Sequence, residues 1–132
     1  MVIRNSSKPL TSTDIVSDTP GLHIVANLQS SLRKQLTQCA GFRELIETLV
    51  QRHQLQNLGE VFYDFPTGGF TAVVCLAESH LSIHTWPEKG FLTFDVFLSN
   101  YKNNNRDITR HIYREVCAYF EAQVLEEHFL DR

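Results

Sequence analysis

Apolar and polar positions along the chain follow two rhythms. Leu22, Ile24, Ala26 and Leu28 alternate with His23, Val25 and Asn27, a period of two that predicts a mostly buried strand. From Phe42 the apolar residues Leu45, Ile46, Leu49 and Val50 recur at helical spacing, with Arg43, Glu44, Glu47 and Arg52 between them, so a helix with one face on a core is expected. The stretch joining these two elements has no rhythm and reads as a link. Val61, Phe62, Tyr63 and Phe65 are β-branched and aromatic and predict a second strand, which Pro66-Thr67-Gly68-Gly69 ends. Phe70 to Ala77 predicts a third; His80 to Thr85 continues or restarts it until Pro87 and Gly90 turn the chain. In Phe91 to Leu98, Leu92, Phe94, Val96 and Leu98 share one face and Phe91, Thr93, Asp95 and Phe97 the other, a fourth strand. Asp107 is the expected N-cap of a helix with Ile108, Ile112, Val116, Tyr119 and Phe120 as its stripe. Val124 to Phe129 predicts a short last strand.

Strands joined by turns too short for crossover helices must be antiparallel, and two amphipathic helices need one shared apolar surface. The expected fold is therefore α+β: a two-layer α/β sandwich with an antiparallel sheet of four to five strands and two helices on one face. The other face has no helix to cover it. Phe91 and Phe97 nevertheless put apolar groups there, which points to a partner subunit, a homodimer being the simplest case. Residues 20–132 are expected to form the single domain. Residues 1–19, rich in Ser and Thr, bury too little to offset ordering and are expected to form a flexible tail.

Composition narrows the function classes. With 132 residues, 42% of them hydrophobic, the chain can bury a core without metals or disulfides. Apolar runs such as Ala72 to Ala77 fall far short of the roughly 18 to 20 residues a membrane span needs, and Met1 to Pro20 lacks a signal-peptide core. A soluble, cytoplasmic protein is expected, with no membrane partner. A net charge of -3 without a basic cluster argues against nucleic acid. Cys39, Cys75 and Cys117 are odd in number, lack Cys-x-x-Cys spacing and sit in apolar segments, so buried reduced thiols are expected.

Polar chemistry concentrates in Glu78-Ser79-His80-Leu81-Ser82-Ile83-His84-Thr85-Trp86-Pro87-Glu88. Alternation puts Ser79, Leu81, Ile83 and Thr85 on one face and His80, Ser82 and His84 on the other, so one polar set must meet the core or a cleft. A plain reading is a strand edge whose polar groups bond to backbone. A hydrolase triad would need a nucleophile elbow of the form Gly-x-Ser-x-Gly, which is absent. His80 and His84, four apart on a strand, stand about 13 Å from each other and lack a third ligand, so no metal is expected.

This stretch resembles the processing motif Glu-Ser-His-x-[Ser/Thr]-Ile-His-Thr-x-Pro-Glu of the prokaryotic S-adenosylmethionine decarboxylases, self-cleaving pyruvoyl enzymes of polyamine synthesis. The resemblance extends to Gly21-Leu22-His23, to Phe65-x-x-x-Gly69-x-Thr71 and to Gly90-Phe91 through Asp95-Val96-Phe97, and covers about residues 21 to 130. It implies self-cleavage between Glu78 and Ser79, with Ser79 converted to a pyruvoyl group that forms a Schiff base with the substrate amine and draws off the electrons left by carbon dioxide; neither pyridoxal phosphate nor a metal is implied. Thr71 and His84 match the residues that assist processing. Ser99 matches the proton-donor position, where the family carries Cys. Phe65 and Glu88 match the residues that hold adenine and ribose, although without the resemblance Phe65 could close the core and Glu88 be a solvated turn acid. Cys75 reads as a core thiol, or else as a substitute acid. Decarboxylated S-adenosylmethionine would serve as the aminopropyl donor for spermidine. A pyruvoyl-dependent arginine or ornithine decarboxylase, and an uncleaved, non-catalytic regulatory paralogue, stay open at this point.

Overall fold

The computed structural model describes residues 19–101 and 103–132. The tail expected over residues 1–19 therefore lies, except for Thr19, outside the described residues. Six strands and three α-helices follow in the order β1 (Leu22–Gln29), α1 (Arg33–Thr37), α2 (Ala40–Arg52), β2 (Asn57–Asp64), β3 (Phe70–Leu76), β4 (Ser79–Trp86), β5 (Phe91–Leu98), α3 (Arg106–Phe120) and β6 (Gln123–Asp131), with a 3-10 turn at Pro87–Lys89 between β4 and β5. The strands form one antiparallel sheet ordered β2-β3-β4-β5-β1-β6. The α+β sandwich is as expected, with more elements than the sequence pattern revealed: six strands rather than four to five, and three helices rather than two. The surplus strand is β4, which restarts at Ser79 after the two-residue turn Ala77-Glu78 rather than continuing β3.

The surplus helix, α1, has Leu36 as its one buried residue. A single apolar position makes no period, so the pattern could not expose it. It is held from outside: Thr85 Oγ1, on β4, donates to the Leu36 carbonyl at 2.7 Å and accepts the Phe70 N–H at 2.9 Å, and the Gly69 N–H donates to the Thr37 carbonyl at 3.0 Å. Gly69 has φ 93°, and a Cβ there would lie 3.0 Å from the Thr85 carbonyl oxygen, so only glycine suits this crossing.

The helices cover one sheet face. Phe42 on α2 sits at the centre, its ring 5.7 Å from that of Phe70, 6.1 Å from Phe120 and 6.4 Å from both Phe62 and Phe94, so a single side chain ties α2 to α3 and to three strands. Alternation in β1, β3, β4 and β5 sends Leu22, Val74, Ile83 and Val96 into this layer. Asp107 does not cap α3. The helix starts one residue earlier, at Arg106, behind Asn105. Asn105 is buried and busy elsewhere: its N–H donates to Asn100 Oδ1 at 2.8 Å and its Nδ2 to the Ser99 carbonyl at 2.8 Å. Asn105 thus clamps the chain that leaves β5.

The opposite face carries the other alternation set, and here two expectations change. Cys75 is exposed rather than buried, because it shares the parity of Thr71 and Val73 on β3; Cys39 is buried and Cys117 intermediate. Phe97, expected to lie open, is 2% exposed, with the Arg132 guanidinium 5.1 Å from its ring centre and His23 at 5.3 Å. Val61, Tyr63, Val73, Trp86 and Leu130 are the exposed apolar groups on this side instead. No helix of the described residues is long and apolar enough to cross a membrane.

Candidate active site

The Glu78–Ser79 peptide joins the β3–β4 turn to β4. Ser79 has φ 153°, a region that residues with a Cβ rarely adopt. Its carbonyl-side neighbour is also constrained: the Ser99 N–H donates to the Glu78 carbonyl oxygen at 2.8 Å. Pairing of Ser79 with Leu98 across β4 and β5 creates this approach, and the Asn105 clamp on the Ser99 carbonyl fixes it. Ser99 is buried. Glu78 Oε1 is buried too and has no hydrogen-bond partner among the described residues.

On the open face, Ser79 Oγ lies 3.0 Å from His80 Nδ1, and His80 Nε2 lies 3.0 Å from Asp95 Oδ2. His23 Nε2 meets the same oxygen at 2.8 Å, Ser82 Oγ donates to Oδ1, and Arg132 approaches His23 Nδ1 at 3.0 Å. Burial pushes the Asp95 carboxyl up, but the hydrogen bonds from Ser82, His23 and His80 outweigh it and hold the group below the usual carboxylate range. His23, His80 and Asp95 place ligand-type atoms within 4.8 Å of one another. Sequence reasoning paired His80 only with His84 and missed this cluster, because it is assembled by the registry of β1, β5 and β4 across 72 residues of chain.

The remaining expected residues lie elsewhere. Thr71 pairs with His84 across β3 and β4, their Oγ1 and Nδ1 atoms 2.6 Å apart. With Phe65, Trp86 and Glu88 they line an open cleft of about 550 Å³, within the range of small-molecule pockets. His84 follows Ser79 by five residues on one strand, a separation of about 16 Å. One chain therefore brings together Glu78, Ser79 and Ser99 at one end of β4, and Phe65, Thr71, His84 and Glu88 at the other.

The sequence model of the S-adenosylmethionine decarboxylase family matches residues 22–132. The chain belongs to the S-adenosylmethionine decarboxylase family. Among curated relatives, the S-adenosylmethionine decarboxylase proenzyme of Aquifex aeolicus is 43% identical over 82 residues, covering 62% of this chain and 61% of the relative. That of Archaeoglobus fulgidus is 38% identical over 77 residues, covering 58% of this chain and 69% of the relative. The crystal structure of the adenosylmethionine decarboxylase of Aquifex aeolicus superposes with a TM-score of 0.75 at 30% identity, covering 86% of this chain and 91% of that one. The aligned stretch thus spans about three fifths of the first of these relatives, while the fold likeness spans nearly all of the solved structure. Both ends of β4 fall inside the region that the family model matches.

Proposed function

We propose that this chain is a proenzyme that severs itself between Glu78 and Ser79 and then decarboxylates S-adenosylmethionine. The observation that carries the reading is the 2.8 Å hydrogen bond from the Ser99 N–H to the Glu78 carbonyl, at the peptide preceding a serine with φ 153°. A donor already aimed at the carbonyl that Ser79 must attack is what stabilises a developing oxyanion. Ser79 Oγ adds to the Glu78 carbonyl carbon, the C–N bond breaks, and the acyl group moves from nitrogen to oxygen. β-Elimination then releases the Glu78 carboxylate, and hydrolysis of the resulting dehydroalanine, with loss of ammonia, leaves a pyruvoyl group at position 79.

Strain, an oxyanion donor and a positioned hydroxyl are the features such a group needs to form, so the residues present fit it. The pyruvoyl carbonyl supplies the electron sink for loss of carbon dioxide from an α-amino acid. This chain's residues do the rest. Phe65 offers an aromatic face to adenine and Glu88 a carboxylate to the ribose hydroxyls, both at the cleft shared with Thr71 and His84. Ser99, beside the cleavage point, occupies the position from which a proton reaches the decarboxylated carbon.

The gap of about 16 Å along β4 argues for a homodimer. Two copies packed through their open faces, with their β4 strands antiparallel, set Thr71, His84, Phe65 and Glu88 of one chain over Ser79 and Ser99 of the other. The exposed Val73 and Trp86 are then covered. Cys39, Cys75 and Cys117, all free thiols, suit a reducing cytoplasm. The product would serve as the aminopropyl donor for spermidine.

Release of labelled carbon dioxide from carboxyl-labelled S-adenosylmethionine tests the activity, with arginine and ornithine as controls. Release from the nucleoside substrate alone is the expected result. Release from arginine or ornithine alone would replace the substrate, and none from any would leave the regulatory reading.

A further inference from the structure

His80 sits next to the cleavage serine, yet the roles given above to Thr71, His84 and Ser99 leave it without one. Its bonding is directional. A guanidinium only donates, so Arg132 at 3.0 Å makes His23 Nδ1 an acceptor, and His23 Nε2–H then donates to Asp95 at 2.8 Å. An ionised carboxylate only accepts, so His80 also presents Nε2–H to Asp95, at 3.0 Å. In the neutral imidazole the other nitrogen, Nδ1, is then an unprotonated base, and it faces Ser79 Oγ at 3.0 Å. Ser, His and Asp stand in the order in which a nucleophile, its base and the base's orienting group must stand.

We infer that His80 is the general base of the first step of self-cleavage, taking the Ser79 Oγ proton, with Asp95 and His23 as positioning residues. The inference rests on the cleavage reading above and deepens it by naming the proton's path within one chain. As the Oγ–H bond breaks, the proton passes to His80 Nδ1 and the Oγ–C bond forms at Glu78. Charge gathers on the carbonyl oxygen facing the Ser99 N–H. The same proton then leaves Nδ1 for the departing Ser79 nitrogen as the C–N bond breaks, giving an ester and an amine with no net gain or loss of protons. His84, at the far end of β4, is left for later steps.

The test follows cleavage of freshly synthesised full-length chains, with hydroxylamine added to trap the ester. His80→Gln should slow ester formation by about 100-fold or more, the usual scale of general-base catalysis, and imidazole should partly restore His80→Gly. Asp95→Asn should slow the step and Asp95→Glu recover most of it, a difference that a merely structural role would not give. If His80→Gln fails to fold by circular dichroism, the Asp95 pair decides. Ester formation within a few-fold of the parent in folded His80→Gln, or equal rates in the Asp95 pair, overturns the inference while cleavage of the parent stands. An uncut parent chain overturns both readings.

Discussion

The main chain of Ser99 and the carbonyl of Glu78 are hydrogen-bonded at 2.8 Å, so position 99 meets the proposed cleavage point through its backbone, whatever side chain it carries. Processing and turnover should therefore separate at this residue. Ser99→Ala and Ser99→Cys are expected to cleave within about threefold of the parent, since neither alters the N–H donor. Turnover should differ: a thiol, with a free pKa of about 8.5, is a far stronger acid than a hydroxyl, so cleaved Ser99→Cys should decarboxylate faster and Ser99→Ala slower. Fragment yield and carbon dioxide release, measured on the same preparations, check this; an unchanged or lower rate in cleaved Ser99→Cys removes the proton-donor role.

Backbone strain at Ser79 is measurable without catalysis. Ser79→Ala and Ser79→Gly should both remain uncut, but only glycine is at ease at φ 153°. Relief of strain is worth about 1–3 kcal/mol, against about 0.5–1 kcal/mol for the added freedom of an unfolded glycine. Ser79→Gly should accordingly be the more stable of the two, by up to about 2.5 kcal/mol in urea denaturation. A lower stability for Ser79→Gly would show that the position is unstrained.

The two ends of β4 can be tested for cooperation between chains. A Ser79→Ala chain keeps Thr71 and His84 but has nothing to cleave; a His84→Ala chain keeps the serine but lacks the imidazole. Coexpressed, they are expected to form mixed dimers with one complete site. Cleavage of the His84→Ala chain, slow alone, should rise about tenfold or more, in keeping with the 10²–10⁴-fold scale of acid–base catalysis. Mass spectrometry of differently tagged chains reads this, and no rise in the mixture would contradict an interchain site.

Asp95 makes acid stability predictable in sign. Hydrogen bonds from Ser82 and His80 on β4 and from His23 on β1 hold its carboxyl below the usual range. A carboxyl depressed on folding stabilises the folded state above its unfolded pKa, near 3.9, and that contribution is lost as pH falls through the lower folded value. In the uncut Ser79→Ala background, the aspartate chain should exceed its Asp95→Asn derivative by about 1–3 kcal/mol at pH 6, with the gap closing below about pH 4. Melting curves across this range measure it; a gap that closes above pH 4, or one that does not depend on pH, would show that the carboxyl is not held below its usual range.

The sequence was most readable where the signal was local. Alternation in Leu22 to Leu28 and Phe91 to Leu98, and the helical stripe of Ile112, Val116 and Phe120, each place their own side chains in the core, and the structure buries them there. The eleven-residue motif was equally local as a signal and is what nominated Ser79, His84 and Glu88 as candidates. Leu36 could not announce α1 alone. Cys75 was misplaced because an apolar run conceals which alternate residues face inward, and Asp107 was read as the cap of α3 because the partners that hold Asn105, Asn100 and Ser99, belong to the end of a strand. The His23, Asp95 and His80 cluster depends on which strands become neighbours, and no local pattern records that. The division of the site was implicit in the five-residue gap between Ser79 and His84, and it needed the extended form of β4 to become a distance.

The central claim is that the peptide before Ser79 breaks and leaves a carbonyl in place of the amine. Intact and denatured mass spectrometry of natively expressed protein tests it most directly. Two fragments are predicted, residues 1–78 and 79–132, the second blocked at its amino end and gaining mass on reduction with borohydride. A single full-length chain with an unmodified Ser79 would contradict it.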